Sequence, residues 1–286
     1  MSLRITRRRF ALYGAAALTT AVAIDGFGLE PYHPVAKPME IQLARLPESF
    51  DGFRIAQISD IHFGPYIGRD NVARAVRLAQ PFQPDLVALT GDFVSHPFRK
   101  PNGAEGAHFA EPCADVLSEW KGVPMVAILG NHDHWNDPEL VAAALRERDI
   151  RVLRNESFAL ERGKDRVWLA GIDDAYENKA DLPRTLTSVP QSEVTVLLAH
   201  EPDYADYAAR FSVDLQLSGH SHGGQVRVPG YGPVVLPRMG RKYHTGLNWV
   251  GRLQVYTSHG IGVVNPPVRF NCPPEVTLIT LRKSPT

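Results

Sequence analysis

The chain has 286 residues, 44% of them hydrophobic, which suits one large core or two small ones and excludes a small stapled scaffold. Its 31 Lys plus Arg balance 31 Asp plus Glu, so no basic surplus exists to hold an extended nucleic acid. Cys113 and Cys272 are too few for a disulfide framework; they read as two separate thiols, or as one pair if the chain is exported.

The chain opens on a basic cluster, Thr6-Arg7-Arg8-Arg9-Phe10, and an uncharged run from Phe10 to Ile24 that stops at Asp25. The run is shorter than the roughly 20 apolar residues of a comfortable membrane span. A basic start, a short apolar stretch and Ala21-Val22-Ala23 follow the pattern of an export signal. The paired arginines Arg7-Arg8, followed one residue later by Phe10, resemble a twin-arginine signal, and an uncleaved segment of this kind would anchor the chain to a membrane. Residues 31–50 read as a linker or first edge element, broken by Pro31, Pro34, Pro38 and Pro47, with an alternating strand pattern from Met39 to Ala44.

In the body, short apolar runs predict strands over 53–59, 86–89, 125–129, 152–153, 158–160, 167–170, 194–199, 215–217 and 276–281. Helices are predicted over 70–80, 113–120, 138–148 and 203–209; in the first, apolar residues recur at 72, 73, 75, 76, 78 and 79. The stretch from Pro97 to Pro112 reads as a surface loop, with His96 and His108 as ordinary surface histidines. The order is α/β early and richer in β structure later. Apart from Arg54 the strands of the body are uncharged, as expected of strands buried on both faces.

Polar residues cluster where these strands end, the position at which open α/β sheets bind ligands. The segments are Asp60-Ile61-His62, Gly91-Asp92, Gly130-Asn131-His132-Asp133, His200 and Gly219-His220-Ser221-His222. Asp60 and Asp92 offer anionic oxygens, Asn131 an amide oxygen, and His62, His200, His220 and His222 imidazole nitrogens. A mixed oxygen and nitrogen set suits Mn²⁺, Fe²⁺/Fe³⁺ or Zn²⁺ better than Ca²⁺ or Mg²⁺, and the lack of thiolates argues against a structural zinc site. A carboxylate shared by two ions holds them about 3.5–4 Å apart, where they acidify a shared water and clamp phosphoryl oxygens. The spacing in Asp60-x-His62 and His220-x-His222 predicts that both side chains of each pair leave a strand end on one face. The glycines beside the proposed ligands permit close approach and unusual dihedrals.

From Ile55 to His222 the ordered series resembles the calcineurin-like metallophosphoesterase superfamily. The resemblance implies a four-layer αββα sandwich, two packed mixed sheets flanked by helices, with two metal ions at its upper edge. It assigns one metal to Asp60, His62, Asp92 and His222 and the other to Asp92, Asn131, His200 and His220, with Asp92 bridging. His132 resembles the family's catalytic histidine, acting near the leaving oxygen, with Asp133 beside it to orient the ring or its loop.

A narrower resemblance, to an exported bacterial branch, rests on the arginine-rich start leading to Leu29-Glu30-Pro31, on Gly223-Gly224-Gln225 before Val226-Arg227-Val228-Pro229-Gly230, and on Asn271-Cys272-Pro273-Pro274-Glu275. Relatives in that branch often carry Arg where this chain has His259. The implied protein has a signal or anchor over 1–30, read by the twin-arginine export machinery, and one catalytic domain over 31–286. It hydrolyses a small or lipid-linked phosphodiester at the cell envelope, in association with the membrane. The alternatives are a pyrophosphatase acting on UDP-2,3-diacylglucosamine in lipid A synthesis and a non-catalytic metal-binding envelope protein. The patch Arg238-Met239-Gly240-Arg241-Lys242 is a candidate site for phosphates or headgroups, or a solvated loop.

Overall fold

Alternation along the strands sorts side chains onto two faces, and the burial follows it. The computed structural model describes residues 6–95 and 104–284. One six-stranded sheet has the order β1 (Val35–Leu43), β14 (Glu275–Lys283), β2 (Arg54–Ile58), β3 (Leu86–Thr90), β4 (Met125–Ile128) and β5 (Arg151–Val152). The other has the order β12 (Gly246–Val250), β13 (Leu253–Thr257), β9 (Leu215–Ser218), β8 (Val194–Leu198), β7 (Asp165–Gly171) and β6 (Glu156–Arg162). A short hairpin, β10 (Arg227–Val228) and β11 (Gly232–Pro233), stands apart from both. Strands β2 to β5 run parallel, as do β7, β8, β9 and β13.

Leu86 and Ala88 of β3 pack with Val196, Leu198 and Leu217 between the two sheets. Val87 and Leu89, the alternate residues, pack outward against α2 (Arg69–Ala79), α3 (Ala110–Leu117) and α5 (Pro138–Arg146). Leu197 and Ala199 pack on the other side with α6 (Leu182–Thr185) and α7 (Ala205–Ala208). These are the four layers, helix, sheet, sheet, helix, and each fully buried Leu or Val in them contributes about 1.5–3 kcal/mol. A shorter helix, α4 (Asn131–Asn136), lies at the strand ends.

Several boundaries differ from the pattern-based expectation, the start of β1 and the start of α3 most informatively. β1 starts at Val35, because it pairs with β14 along its whole length, from Val35 with Glu275 to Leu43 with Lys283; Pro38 is tolerated because β1 is an edge strand. His96 and residues 97–103 of the expected loop lie outside the described residues. Its later part is a 3₁₀ turn (Ala104–Phe109) leading into α3, which begins at Ala110 because Ala110, Cys113, Ala114 and Leu117 bury on the first sheet. Cys113 and Cys272 are buried free thiols.

The N-terminal helix α1 (Arg7–Ile24) buries no residue, and Phe10, Leu12, Tyr13 and Leu18 are exposed along it. Its 18 residues measure about 27 Å at 1.5 Å per residue, close to the ~30 Å hydrocarbon core of a bilayer. The helical path continues through Asp25 to Tyr32 as a π turn and a 3₁₀ turn. By length and composition the segment Arg7–Tyr32 is able to cross a membrane, a test that a signal sequence also passes. Its end is fastened to the domain: Arg269 N–H donates to Gly26 O at 2.9 Å, and the Glu30 carboxylate accepts from the Asn271 and Cys272 amides.

Candidate metal centre

The strands β2, β3 and β4 of one sheet and β8 and β9 of the other end side by side, and the chain turns sharply after each. Asp60, His62, Asp92, Asn131, His200, His220 and His222 meet there, each 6% exposed or less. Five of them have left-handed backbones: Asp60 (φ 49°), His62 (φ 49°), Asp92 (φ 59°), His220 (φ 66°) and His222 (φ 51°). This corrects the expectation of a shared strand face. β2 ends at Ile58 and β9 at Ser218, so the paired side chains converge through successive left-handed turns rather than through the pleat. Such conformations cost about 1–3 kcal/mol each and persist where the surroundings over-determine them. Here the Asp60 N–H donates to Gly91 O at 3.0 Å, the His62 N–H to Asp92 O at 2.9 Å, and the Gly262 N–H to Asp60 O at 2.7 Å. Gly219 is required for close approach, since a Cβ there would collide with the Asp60 carboxylate and the Ser59 hydroxyl.

The groups fall into two sets. In the first, the ligand atoms of Asp60, His62, Asp92 and His222 lie within 4.8 Å of one another, as do those of His200, Glu201 and His220 in the second. His62 Nε2 faces His222 Nε2 at 2.9 Å, and His222 Nε2 lies 3.4 Å from Asp60 Oδ1. Asp92 joins the sets: its Oδ2 is 3.5 Å from His62 Nε2 and 3.2 Å from His200 Nε2. Asn131 Oδ1 lies 2.8 Å from His220 Nδ1.

Outer partners fix which nitrogen is available, as they do around metals generally. His200 Nδ1 donates to Thr90 O at 2.7 Å, which leaves Nε2 toward Asp92. His220 Nε2 donates to Arg238 O at 2.7 Å, which leaves Nδ1 toward Asn131.

Electrostatics support a metal at this place. Burial, followed by neighbouring positive charge, holds His62 and His222 well below the usual histidine range, and burial takes His220 down to about 3. Their nitrogens are therefore neutral donors of electron pairs. Burial raises Asp92, but the charges of His200 and His132 outweigh it and hold the carboxyl well below its usual range. Buried Asp60 Oδ2 and His200 Nε2 have no hydrogen-bond partner, which is rare for buried polar atoms unless a ligand or ion completes them. The neutral imidazoles of His62, His220 and His222, the ionised Asp92 carboxylate and the Asn131 amide oxygen form a donor set that fits transition-metal ions. His200, which burial pushes down but the charges of Asp92 and Asp60 raise well above the usual histidine range, would give up its proton on binding a metal.

Glu201 was not anticipated. Its carboxyl accepts from the Ala175 N–H at 3.2 Å, and burial together with the Asp174 charge raises it well above the usual carboxylate range, so it is held protonated against Asp174.

His132 belongs to neither set. Its ring meets His62 edge-on at 4.6 Å and Trp135 at 4.6 Å. Its Nδ1 is 3.4 Å from Ser95 Oγ, and its backbone N–H donates to Asp92 Oδ1 at 2.8 Å. Asp133, fully buried, accepts from four backbone N–H groups, those of Asp92, Phe93, Val94 and Gly130, at 2.8–3.2 Å. Burial pushes its carboxyl up to about 7, with Asp92 acting in the same direction and the amides against it. It thus clamps the turn after β3 to the start of α4. Asp133→Ala leaves four buried donors without an acceptor. Because each such group costs about 1–3 kcal/mol, the expected loss is at least ~3 kcal/mol, read as a lowered midpoint in urea unfolding with little change in slope.

A cleft of about 410 Å³ opens beside these residues. Trp135 and Tyr176, which the sequence reading passed over, form part of its wall, and the Arg238 guanidinium lies over the Tyr176 ring at 5.3 Å. The rest of the basic patch is engaged elsewhere: the Arg241 and Lys242 amides donate to Asp203, and Lys242 Nζ pairs with Asp206. His259 is outside the cleft lining. It sits between Thr245 Oγ1 (2.6 Å) and Cys272 Sγ (3.6 Å), and burial takes it down to about 4, so it is neutral. Arg269, fully buried, donates to the carbonyls of His259, Gly260, Gly262 and Cys272 and shapes that loop.

Comparison with known proteins agrees with this geometry. The family model for calcineurin-like phosphoesterases matches residues 53–224. The metallophosphoesterase YkuE of Bacillus subtilis (strain 168) is 31% identical, over 98% of this chain and 99% of its own. The phosphodiesterase YaeI of Escherichia coli (strain K12) is 30% identical, over 97% of this chain and 99% of its own. A transmembrane protein with a metallophosphoesterase domain from Danio rerio is 30% identical, over 94% of this chain and 62% of its own.

Proposed function

The chain belongs to the calcineurin-like phosphoesterase family and is a metal-dependent phosphoesterase; on that premise we propose that it is a phosphodiesterase acting at the outer side of the cytoplasmic membrane. In this reading Asp60, His62, Asp92 and His222 hold one ion, and Asp92, Asn131, His200 and His220 the other. The observation that carries this ligand assignment is Asp92 Oδ2, which faces His62 and His200 at once; the diesterase reading rests on the similarity to the phosphodiesterase YaeI. Mn²⁺, Fe²⁺/Fe³⁺ and Zn²⁺ are the metals that such donors favour. When bound, a pair of ions supplies positive charge for the phosphoryl oxygens and acidifies a shared water.

The remaining work falls to side chains of this chain. His132, set beside the first group at the cleft, is placed to give a proton to the departing oxygen. Asp92 Oδ1 fixes the start of α4 through the His132 N–H, and Asp133 secures the same turn, so Asp133 is a positioning residue. The Trp135 ring packs on His132 and its indole N–H donates to Glu177 at 2.7 Å, which limits the swing of the imidazole. Arg238, over Tyr176, offers a cation to a second phosphate substituent.

The test is turnover of bis-p-nitrophenyl phosphate against p-nitrophenyl phosphate by chelator-stripped enzyme reloaded with Mn²⁺, Fe²⁺ or Zn²⁺. Recovery of activity with metal and a preference for the diester are expected. A monoester preference would replace the phosphodiesterase reading.

Residues 1–30 are proposed as the export signal or anchor ahead of a single catalytic domain over 31–286. Arg7, Arg8 and Arg9 are exposed at the start of α1, whose first turn is capped by Thr6 Oγ1. Replacing Arg7 and Arg8 with lysine preserves the charge but removes the paired guanidinium groups. Active, metal-loaded enzyme is then expected to stay in the cytoplasm. Cell fractionation with an activity assay checks it; undiminished export of the variant would return the segment to an ordinary secretion signal or simple anchor.

A further inference from the structure

The cleft changes character from its floor to its mouth. Asp92, Asn131 and His132 stand at the buried end, while Val226, Val234, Val235, Val264 and Val268 supply most of the rest, with Gln225 and Asn265 among them. Val234 is 53% exposed and Val235 71%, so the mouth itself is apolar. Around it the hairpin β10–β11 exposes Val228 and, at its tip, Tyr231. Contiguous exposed apolar surface of this kind marks an interaction site.

The apolar helix α1 is fastened at the same place. A Cβ on Gly26 would touch Val268 at 3.3 Å, and Val268 is part of the cleft wall. Arg269 N–H bonds to Gly26 O, and the base of the hairpin is tied to the next residue by Arg227 N–H to Phe270 O at 2.9 Å. One short segment, 268–272, therefore carries the end of α1, the root of the hairpin and a wall of the cleft. A helix with the reach of a bilayer, an apolar rim and the opening to the reactive residues are joined through it.

Taking the phosphoesterase reading above as its basis, we infer that the cleft binds the hydrocarbon part of an amphiphilic phosphoester drawn from a lipid surface, with the phosphoester at the Asp92 end. A hydrocarbon chain matches a valine-lined channel that offers few polar groups. A nucleobase would need hydrogen bonds to its edge, and Gln225 is already occupied: its Nε2 donates to Val264 O and Pro266 O, and its Oε1 accepts from the Val264 N–H. The rim Val228, Tyr231, Val234 and Val235 would touch the acyl layer, so the chain passes from bilayer to cleft without crossing water.

The test uses the full chain loaded with Mn²⁺ and the methyl, butyl and octyl esters of p-nitrophenyl phosphate, each below its aggregation concentration. Full burial of a methylene is worth about fourfold in affinity. The expected result is a kcat/KM at least about tenfold higher for octyl than for methyl. Val234→Glu with Val235→Glu should lower that octyl-to-methyl ratio about tenfold. An independent readout needs no turnover: in a Val235→Trp variant, octyl phosphate brominated at the chain end should quench the fluorescence of the tryptophan at the mouth, and the unsubstituted chain, whose Trp135 packs on His132 at the opposite end, should lack that quenching. Good turnover of the methyl ester with a flat chain-length series would overturn the inference and leave the phosphoesterase reading standing. If no ester is turned over, that reading falls, and absence of quenching in the Val235→Trp variant then overturns this one as well.

Discussion

Asp92→Asn is expected to lower turnover by roughly 10³-fold or more and to reduce bound metal from two ions toward one. The magnitude follows from several kcal/mol of transition-state charge stabilisation by the ions, at a factor of ten per 1.36 kcal/mol. The substitution isolates the charge. An asparagine Oδ1 still accepts the His132 N–H that Asp92 Oδ1 now receives at 2.8 Å, and asparagine tolerates the left-handed backbone that Asp92 adopts. What is lost is the anionic oxygen lying 3.5 Å from His62 Nε2 and 3.2 Å from His200 Nε2. Elemental analysis beside the activity assay gives the result; two retained metals with near-full turnover would remove Asp92 from the bridging position.

His132→Ala is expected to separate metal binding from catalysis. Two metals should remain, because the side chain belongs to neither set of converging groups and the backbone N–H to Asp92 survives the substitution. Turnover should fall about 10²–10⁴-fold, the usual range for a positioned acid or base. The defect should shrink for diesters with acidic leaving groups, which need less help with developing negative charge. A series of aryl methyl phosphates of graded leaving-group pKa measures this. A defect of constant size, accompanied by loss of one metal, would place His132 among the ligands.

The site was legible where a polar residue follows an uncharged run. Leu86-Val87-Ala88-Leu89 announces a buried strand, and Thr90-Gly91-Asp92 its end; the same holds for Asn131, His200 and His220. The pattern could not show how these residues converge, because the left-handed dihedrals at Asp60 and His62 depend on bonds to the distant backbone of Gly91 and Asp92, and that at His220 on its N–H to the Asp60 carboxylate. Helix α4 was missed because Asn131–Asn136 has no apolar period; it is nucleated by the Asp133 carboxylate on the Gly130 N–H. The hairpin of β12 and β13 was missed because Asn248, Gly251 and Arg252 interrupt its pattern, although every residue of β13 is buried. Arg269 carries a charge and lies in a loop, which argues for exposure; only the four carbonyls around it make its burial possible. The cleft wall was hidden for a topological reason: the segments 226–235 and 264–268 meet through the bridge between Val226 and Phe270.

Whether two metal ions share Asp92 is read by anomalous diffraction from crystals of the full chain loaded with Mn²⁺. Two peaks about 3.5–4 Å apart are expected, one beside His62 and His222, the other beside His200 and His220, with the Asp92 carboxylate touching both. A single peak, or two peaks that do not both contact Asp92, would contradict the shared ligation.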